Sequence, residues 1–410
     1  MNYKMKKLLQ INPVIRQTTS TGRIMLEIGE LAMRDGWDNY IAYSRGRDGR
    51  HDCSYTIVPV GSKLSVAWHG LLTRFFDRHG LGSRMATRRF VRKLKEINPD
   101  VIHIHNIHGY FLNYLILFRY LSTCGKPVVW TVHDCWLFTG HCYHYDSVGC
   151  EKWKTGCSHC PQKTAFPRSL LLDRSEQNYM EKRHAFLSVP AQKFHIVVVS
   201  DWMRREMSSS FLKNCTFHTI HNGIDTDVFR PRPDSPYKEQ GQFLLLGLAN
   251  IWSKEKGLDD FVEMASMLND NETLLLVGVS DALAKKLPQR IRVMPRTADV
   301  EKLAEIYSAA DVFVNLTYQD NYPTVNMEAM ACGTPVVTYD TGGSVETISA
   351  DTGVVVPKGD IQAVLNAVRK IETLGKETLS IPCREYACSH FSKEACYRQY
   401  IDLYNQLLSE

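Results

Sequence analysis

Two carboxylates, Asp320 and Glu328, stand with seven residues between them in the stretch QDNYPTVNMEAMACGTPVVTYDT. Pro323 fixes the first turn of a short helix, Asn326 to Ala331 continue it, and Gly333 with Pro335 ends it. A helix start leaves amides unpaired, so the main chain at Thr324, Val325 and Asn326, helped by the helix dipole, suits a phosphate. A carboxylate on the first turn accepts hydrogen bonds from the vicinal hydroxyls of a ribose or another sugar. The strand Val336 to Tyr339 follows, and Gly342 with Gly343 then lets a second turn of main chain approach the same ligand. An ordinary helix start with an acidic first turn gives the same local sequence, so the pair needs support from the rest of the chain.

That support begins at Lys254, Glu255, Lys256 and Gly257, which follow the strand Phe243 to Leu248 and place cations where a diphosphate would lie. A solvated Lys and Glu run at a helix start is the competing reading. His133 and Asp134 end the strand Pro127 to Val132, at the edge where open parallel sheets bind ligands; His133 has protons to give to a hydroxyl, with Asp134 to orient it. A purely structural histidine at a strand end is the alternative. The loop Asn12 to Gly22 follows the first strand, with Gly22 opening the next helix. Cys142, Cys150, Cys157 and Cys160, with three histidines nearby, offer either a structural zinc site or four reduced thiols. Asp225 and Asp227 mimic a metal-binding acid triplet, but they lie in a segment that reads as a linker.

With these motifs the chain resembles the retaining glycosyltransferases of family 4, which have the GT-B fold: two Rossmann-like domains whose parallel sheets face a central cleft. The resemblance extends over nearly the whole chain. It implies that Glu328 holds the ribose of a nucleotide-sugar donor, a UDP- or GDP-hexose, and that Asp320, one methylene shorter than the family's Glu, lies near the transferred sugar. It assigns Lys256, with Lys254, to the leaving diphosphate; the family's Arg falls at Ile251. It places His133 beside the donor sugar and brings Gly22, within TTSTG, close to the diphosphate and acceptor. Transfer would be front-face with retention, to a glycan or lipid-linked acceptor in cell-surface polysaccharide synthesis, and would require no cofactor. Two alternatives are a nucleotide-sugar epimerase, separable by product analysis without acceptor, and a zinc-dependent nucleic-acid binder.

The elements that must carry these residues are α/β. A chain of 410 residues with 44% hydrophobic content supports two cores. Short apolar runs alternate with helical segments through both halves, as parallel sheets require. The N-terminal domain is expected over residues 1–217, with a Cys-rich insertion at about 134–166, and His218 to Gln242 forms a linker. The C-terminal domain follows over 243–390, and a terminal helix over 391–410 returns to the first domain. No run approaches the roughly 20 apolar residues of a membrane span, no signal segment follows Met1 to Leu9, and unpaired cysteines suit a reducing compartment, so the protein is expected to be cytoplasmic. Lys63 to Lys95 carries nine cations against one acid, Asp77, with Trp68, Phe75, Phe76 and Phe90 interleaved. That pattern suits peripheral contact with an anionic membrane, at the inner face of the plasma membrane, or a solvated helical face with its aromatics in the core. Nucleic acid is not expected as a partner.

Overall fold

The computed structural model describes residues 5–47, 55–232, 235–297 and 299–410. Pro233 and Asp234, in the expected linker, and the first four residues of the chain lie outside them. The chain divides into two compact units, one running to Ile220 and including Tyr397–Glu410, the other comprising His221–Cys396.

The first unit holds β1 (Lys6–Ile11), β2 (Val14–Ile15), β3 (Trp37–Tyr43), β4 (Arg45–Arg47), β5 (Thr56–Pro59), β6 (Val101–Ile104), β7 (Val128–Val132), β8 (Phe194–Val198) and β9 (Thr216–Thr219). Seven of these form one sheet in the order β5-β3-β1-β6-β7-β8-β9, every pair parallel. Its helices are α1 (Ser20–Arg34), α2 (Lys63–Phe76), α3 (Arg84–Ile97), α4 (Tyr114–Leu121), α5 (Ser175–Phe186) and α6 (Asp201–Ser208). The central strands β6, β7 and β8 are buried at every position, which is why they read as continuous apolar runs. Trp136, Phe138 and Trp153 of the Cys-rich insertion are part of the same core.

The second unit holds β10 (Phe243–Leu248), β11 (Glu272–Val277), β12 (Ile291–Met294), β13 (Val312–Asn315), β14 (Val336–Tyr339) and β15 (Gly353–Val356), a parallel sheet in the order β12-β11-β10-β13-β14-β15. Its helices are α7 (Leu258–Ser266), α8 (Asp281–Ala284), α9 (Val300–Ala309), α10 (Thr324–Ala331), α11 (Ile361–Leu374) and α12 (Lys376–Phe391). α10 is buried from Asn326 to Ala331, so it lacks the polar stripe of a surface helix. Strand order reverses between β1 and β6 in one sheet and between β10 and β13 in the other. The carboxyl ends beside such reversals are where open sheets bind ligands.

Three sequence expectations are corrected. The expected linker starts too early, because His218 and Thr219 pair as the end of β9. The terminal helix is not continuous from Phe391: that residue ends α12, Ser392 is extended (φ −58°, ψ 123°), and α13 runs over Lys393–Ser409. Gly22 does not open α1, which starts two residues earlier, at Ser20.

Candidate active site

In the second unit, β10 delivers the chain into a loop that ends in a single helical turn, Lys254–Lys256, closed by Gly257 in the left-handed region (φ 72°). A Cβ at Gly257 would stand 2.3 Å from the Leu316 carbonyl oxygen, so only glycine lets this turn press against the segment after β13. The Tyr318 amide donates to the Glu255 carbonyl at 2.8 Å, which completes the attachment. As a result the Lys256 ammonium lies 3.2 Å from Asp320 Oδ2 and 3.4 Å from Thr317 Oγ1. Both partners remain partly accessible, Lys256 at 41% and Asp320 at 23% of their side-chain surface, so the pair is within reach of a ligand. Lys254, on the same turn, is exposed.

Asp320 is fixed on its other sides as well. Its Oδ1 accepts the Tyr322 amide at 3.3 Å, and its carbonyl accepts the Gly343 amide at 3.2 Å. Gly342 (φ 52°) would drive a Cβ to 1.9 Å from that carbonyl, so the Gly342-Gly343 turn closes directly on Asp320. Thr341 and Ser344 flank the turn with buried hydroxyls that find no hydrogen-bond partner among the described residues.

The start of α10 follows Asp320 closely in sequence, with Pro323 at its N-cap and no side chain capping it. Thr324 and Val325 are half-buried. The Asn326 side chain is committed internally, accepting from Asn315 at 2.8 Å and donating to Thr347 at 2.9 Å, so only its main chain remains as a ligand contact. Glu328 departs from expectation: no acid lies in the first turn of α10, and Glu328 stands in the second, buried, with Oε2 accepting the Tyr307 hydroxyl at 3.2 Å. Tyr307, on α9, was not singled out from the sequence, and nothing in its local pattern signals the contact.

The corresponding edge of the first unit is lined by neutral imidazoles. His133 Nε2 is 3.2 Å from His105 Nδ1, and the two rings stack at 15°. His105 Nε2 is 3.0 Å from Gln10 Oε1, whose amide nitrogen donates to the Met25 carbonyl and to Asn39. Since that amide orientation is set by a carbonyl, His105 must donate from Nε2 and accept at Nδ1, and His133 must donate from Nε2. The lone pair of neutral His133 is then on Nδ1. Burial, opposed by Asp134 and reinforced by His108, lowers its pKa to about 4, so neutrality holds at physiological pH. The histidine run that begins in β6 and continues to His108 carried the signal for His105, but its partner in β1 is distant in sequence.

Asp134 does not orient His133. It accepts the Trp136 amide at 2.9 Å and pairs with His108 Nε2 at 3.1 Å. Burial would raise its pKa, but His108 and the amide hold it below the usual value. Gly22 belongs to the first unit, and its missing Cβ is explained locally: one would stand 2.4 Å from the Arg16 carbonyl oxygen. Cys142, Cys150, Cys157 and Cys160 line one small cavity within the first unit.

The profile described as Glycosyltransferase Family 4 matches residues 21–228, and that of Glycosyl transferases group 1 matches residues 242–373. The chain belongs to glycosyltransferase family 4. The putative colanic acid biosynthesis glycosyl transferase WcaC of Escherichia coli K12 is 25% identical, over 98% of this chain and 100% of its own length. The capsular polysaccharide biosynthesis glycosyltransferase CapM of Staphylococcus aureus is 23% identical over 52% of this chain and 62% of its own. Among solved structures, the sucrose-phosphate synthase of Thermosynechococcus elongatus superposes with a TM-score of 0.72 at 19% identity, covering 98% of this chain and 99% of its own. Anabaena HepE in complex with UDP gives 0.68 at 15% identity, covering 98% and 100%. These likenesses establish GT-B as the fold of this glycosyltransferase. Among the described residues, no helix is long and apolar enough to cross a membrane.

Proposed function

We propose that this family 4 enzyme transfers a hexosyl group, with retention, from a UDP- or GDP-sugar to a glycan or lipid-linked acceptor in cell-surface polysaccharide synthesis on the cytoplasmic side of the membrane. The observation that carries the reading is the contact of Lys256 with Asp320 at the β10/β13 reversal, closed by the Gly342-Gly343 turn and adjoining in sequence an uncapped helix start. The names of WcaC and CapM support the polysaccharide context, and the UDP complex of HepE supports a uridine donor.

In this mechanism Glu328, held by Tyr307, takes the ribose hydroxyls. Lys256 and the amides of Thr324, Val325 and Asn326 take the negative charge that grows on the diphosphate as the anomeric C–O bond breaks. Asp320 positions the sugar, and His133 Nδ1 accepts a hydroxyl. The acceptor oxygen forms the new bond on the same face, and its proton passes to the departing phosphate.

Purified Lys256→Ala and Glu328→Ala variants should stay folded and lose donor turnover. Normal turnover by both overturns the reading. The anomeric configuration of the product, read by NMR, decides retention.

A further inference from the structure

α2 is built inside out. It buries His69 and Thr73 and exposes Leu64 and Trp68, at 82% and 62%, together with Leu71 and Phe76. The inner face is held by polar bonds: His69 Nε2 accepts the Gly80 and Gly82 amides at 3.1 and 3.2 Å, and Nδ1 contacts the Ser83 hydroxyl at 3.0 Å. Leu64, Trp68 and Leu71 fall at i, i+4 and i+7, so they form one outward stripe. The 166–172 loop extends it, because the Leu170 and Leu172 amides bond the Arg74 and Phe75 carbonyls while Phe166 and Leu171 project outward, 57% and 63% exposed. A surface helix ordinarily turns such residues inward.

The apolar stripe adjoins a cationic groove. Leu72, Phe76 and Leu172 line a pocket together with Arg78 and Arg174, and both arginines also line a groove of about 870 Å³ along α3 and α4. Seven Arg and Lys side chains line that groove against one acid, Glu181, which Arg174 already pairs at 2.9 Å. The only acid of the Lys63–Lys95 stretch, Asp77, is buried and bound to His141 and the Arg174 amide.

We propose that α2 and the 166–172 loop seat this enzyme on an anionic bilayer, with the apolar stripe in the interfacial layer and the groove against lipid headgroups. Charge decides between occupants. A second copy on a two-fold axis would set this cationic face against itself, whereas anionic headgroups above acyl chains complement both halves of it. The proposal is independent of the donor chemistry.

The test is sedimentation of the full chain with vesicles of phosphatidylcholine alone and with added phosphatidylglycerol. Binding is expected to the second only and to weaken with salt. Trp68→Gln with Leu71→Gln should lower it about tenfold, and Arg84→Glu or Arg88→Glu roughly fivefold each. Thermal melting and turnover with a water-soluble acceptor should stay unchanged, which separates this result from a failure of the transferase reading. No binding, equal binding to both vesicles, or undiminished binding by the variants overturns the proposal. So does a dimer in light scattering that Trp68→Gln dissolves.

A separate set of observations concerns the cysteines. Their cavity, of about 10 Å³, has room for a single small sphere and is lined also by His141. His141 Nδ1 is 2.6 Å from Asp77 Oδ1, leaving Nε2 buried without a partner among the described residues. A carboxylate behind an imidazole whose other nitrogen is free is the arrangement that orients metal-ligating histidines. The geometry points to a structural zinc held by thiols of Cys142, Cys150, Cys157 and Cys160, with His141 available as a ligand. Among the described residues no three such side chains already stand at metal-holding distances, so binding must draw the thiols inward.

Full-length protein purified with zinc present should contain about one zinc per chain. Cys157→Ser with Cys160→Ser should lose it while Cys215→Ser keeps it, and a cobalt-loaded sample should show thiolate-to-metal absorption. Zinc below about a tenth per chain, or full zinc in the double variant, overturns the assignment.

Discussion

The two units use one plan and furnish it oppositely. In each, a parallel sheet reverses its order, and the segments after two adjacent strands meet at the carboxyl edge. At the β10/β13 edge the groups are charged and accessible, Lys256 against Asp320, with glycines admitting main chain between them. At the edge after β6 and β7 they are neutral and largely buried, His133 on His105 on Gln10. The contrast teaches that charged side chains stand where water can reach them, whereas the imidazoles of the other edge are held neutral by burial. Damage to the first edge should therefore affect turnover with little change in stability, whereas damage to the second should lower stability as well.

Lys256→Ala is the largest test. Loss of a cation at a developing diphosphate charge should lower turnover about 100- to 1000-fold, while melting moves little because an exposed ion pair contributes at most about 1 kcal/mol. A melting drop of many degrees with retained turnover would reverse the comparison.

Acid is the next test, and it addresses the histidines. Burial takes His69 and His133 from 6.5 to about 4, and it pushes His103 and His105 well below their ordinary value. Between 4 and 6.5 the unfolded chain therefore binds more protons than the folded one, so stability is full above 6.5 and declines as the pH falls toward 4. Fully buried His69 accounts for up to roughly 3 kcal/mol, and half-buried His133 for less. A flat melting temperature over that window would show that these imidazoles are not held neutral.

The same contrast governs what the sequence revealed. β10 and β14 were read to the residue because they are apolar runs bounded by loop residues. β5 and β9 were missed because they are the two outermost strands of their sheet, and Val58 is the only buried residue of β5. Lys256 and Asp320 were legible because each lies on the segment that leaves the carboxyl end of its strand. The support behind His133 was not, since Gln10 precedes His105 by 95 positions. Asp134 was misread because neighbours in sequence need not be neighbours in space: capping the turn at Cys135–Leu137 points its carboxylate to His108.

The smallest effect tests whether the charged edge depends on its own buried support. Tyr307→Phe removes only the hydroxyl that Glu328 accepts at 3.2 Å. Loss of one buried hydrogen bond to a carboxylate costs about 1–2 kcal/mol, or a few degrees of melting temperature in a unit of this size. If Glu328 holds the ribose, a carboxylate freed from Tyr307 should raise the donor KM several-fold and leave kcat nearly unchanged, because the ribose is bound alike in ground and transition states. A fall in kcat at constant KM would instead tie Glu328 to the reacting sugar, and the two edges would then differ less than their charges suggest.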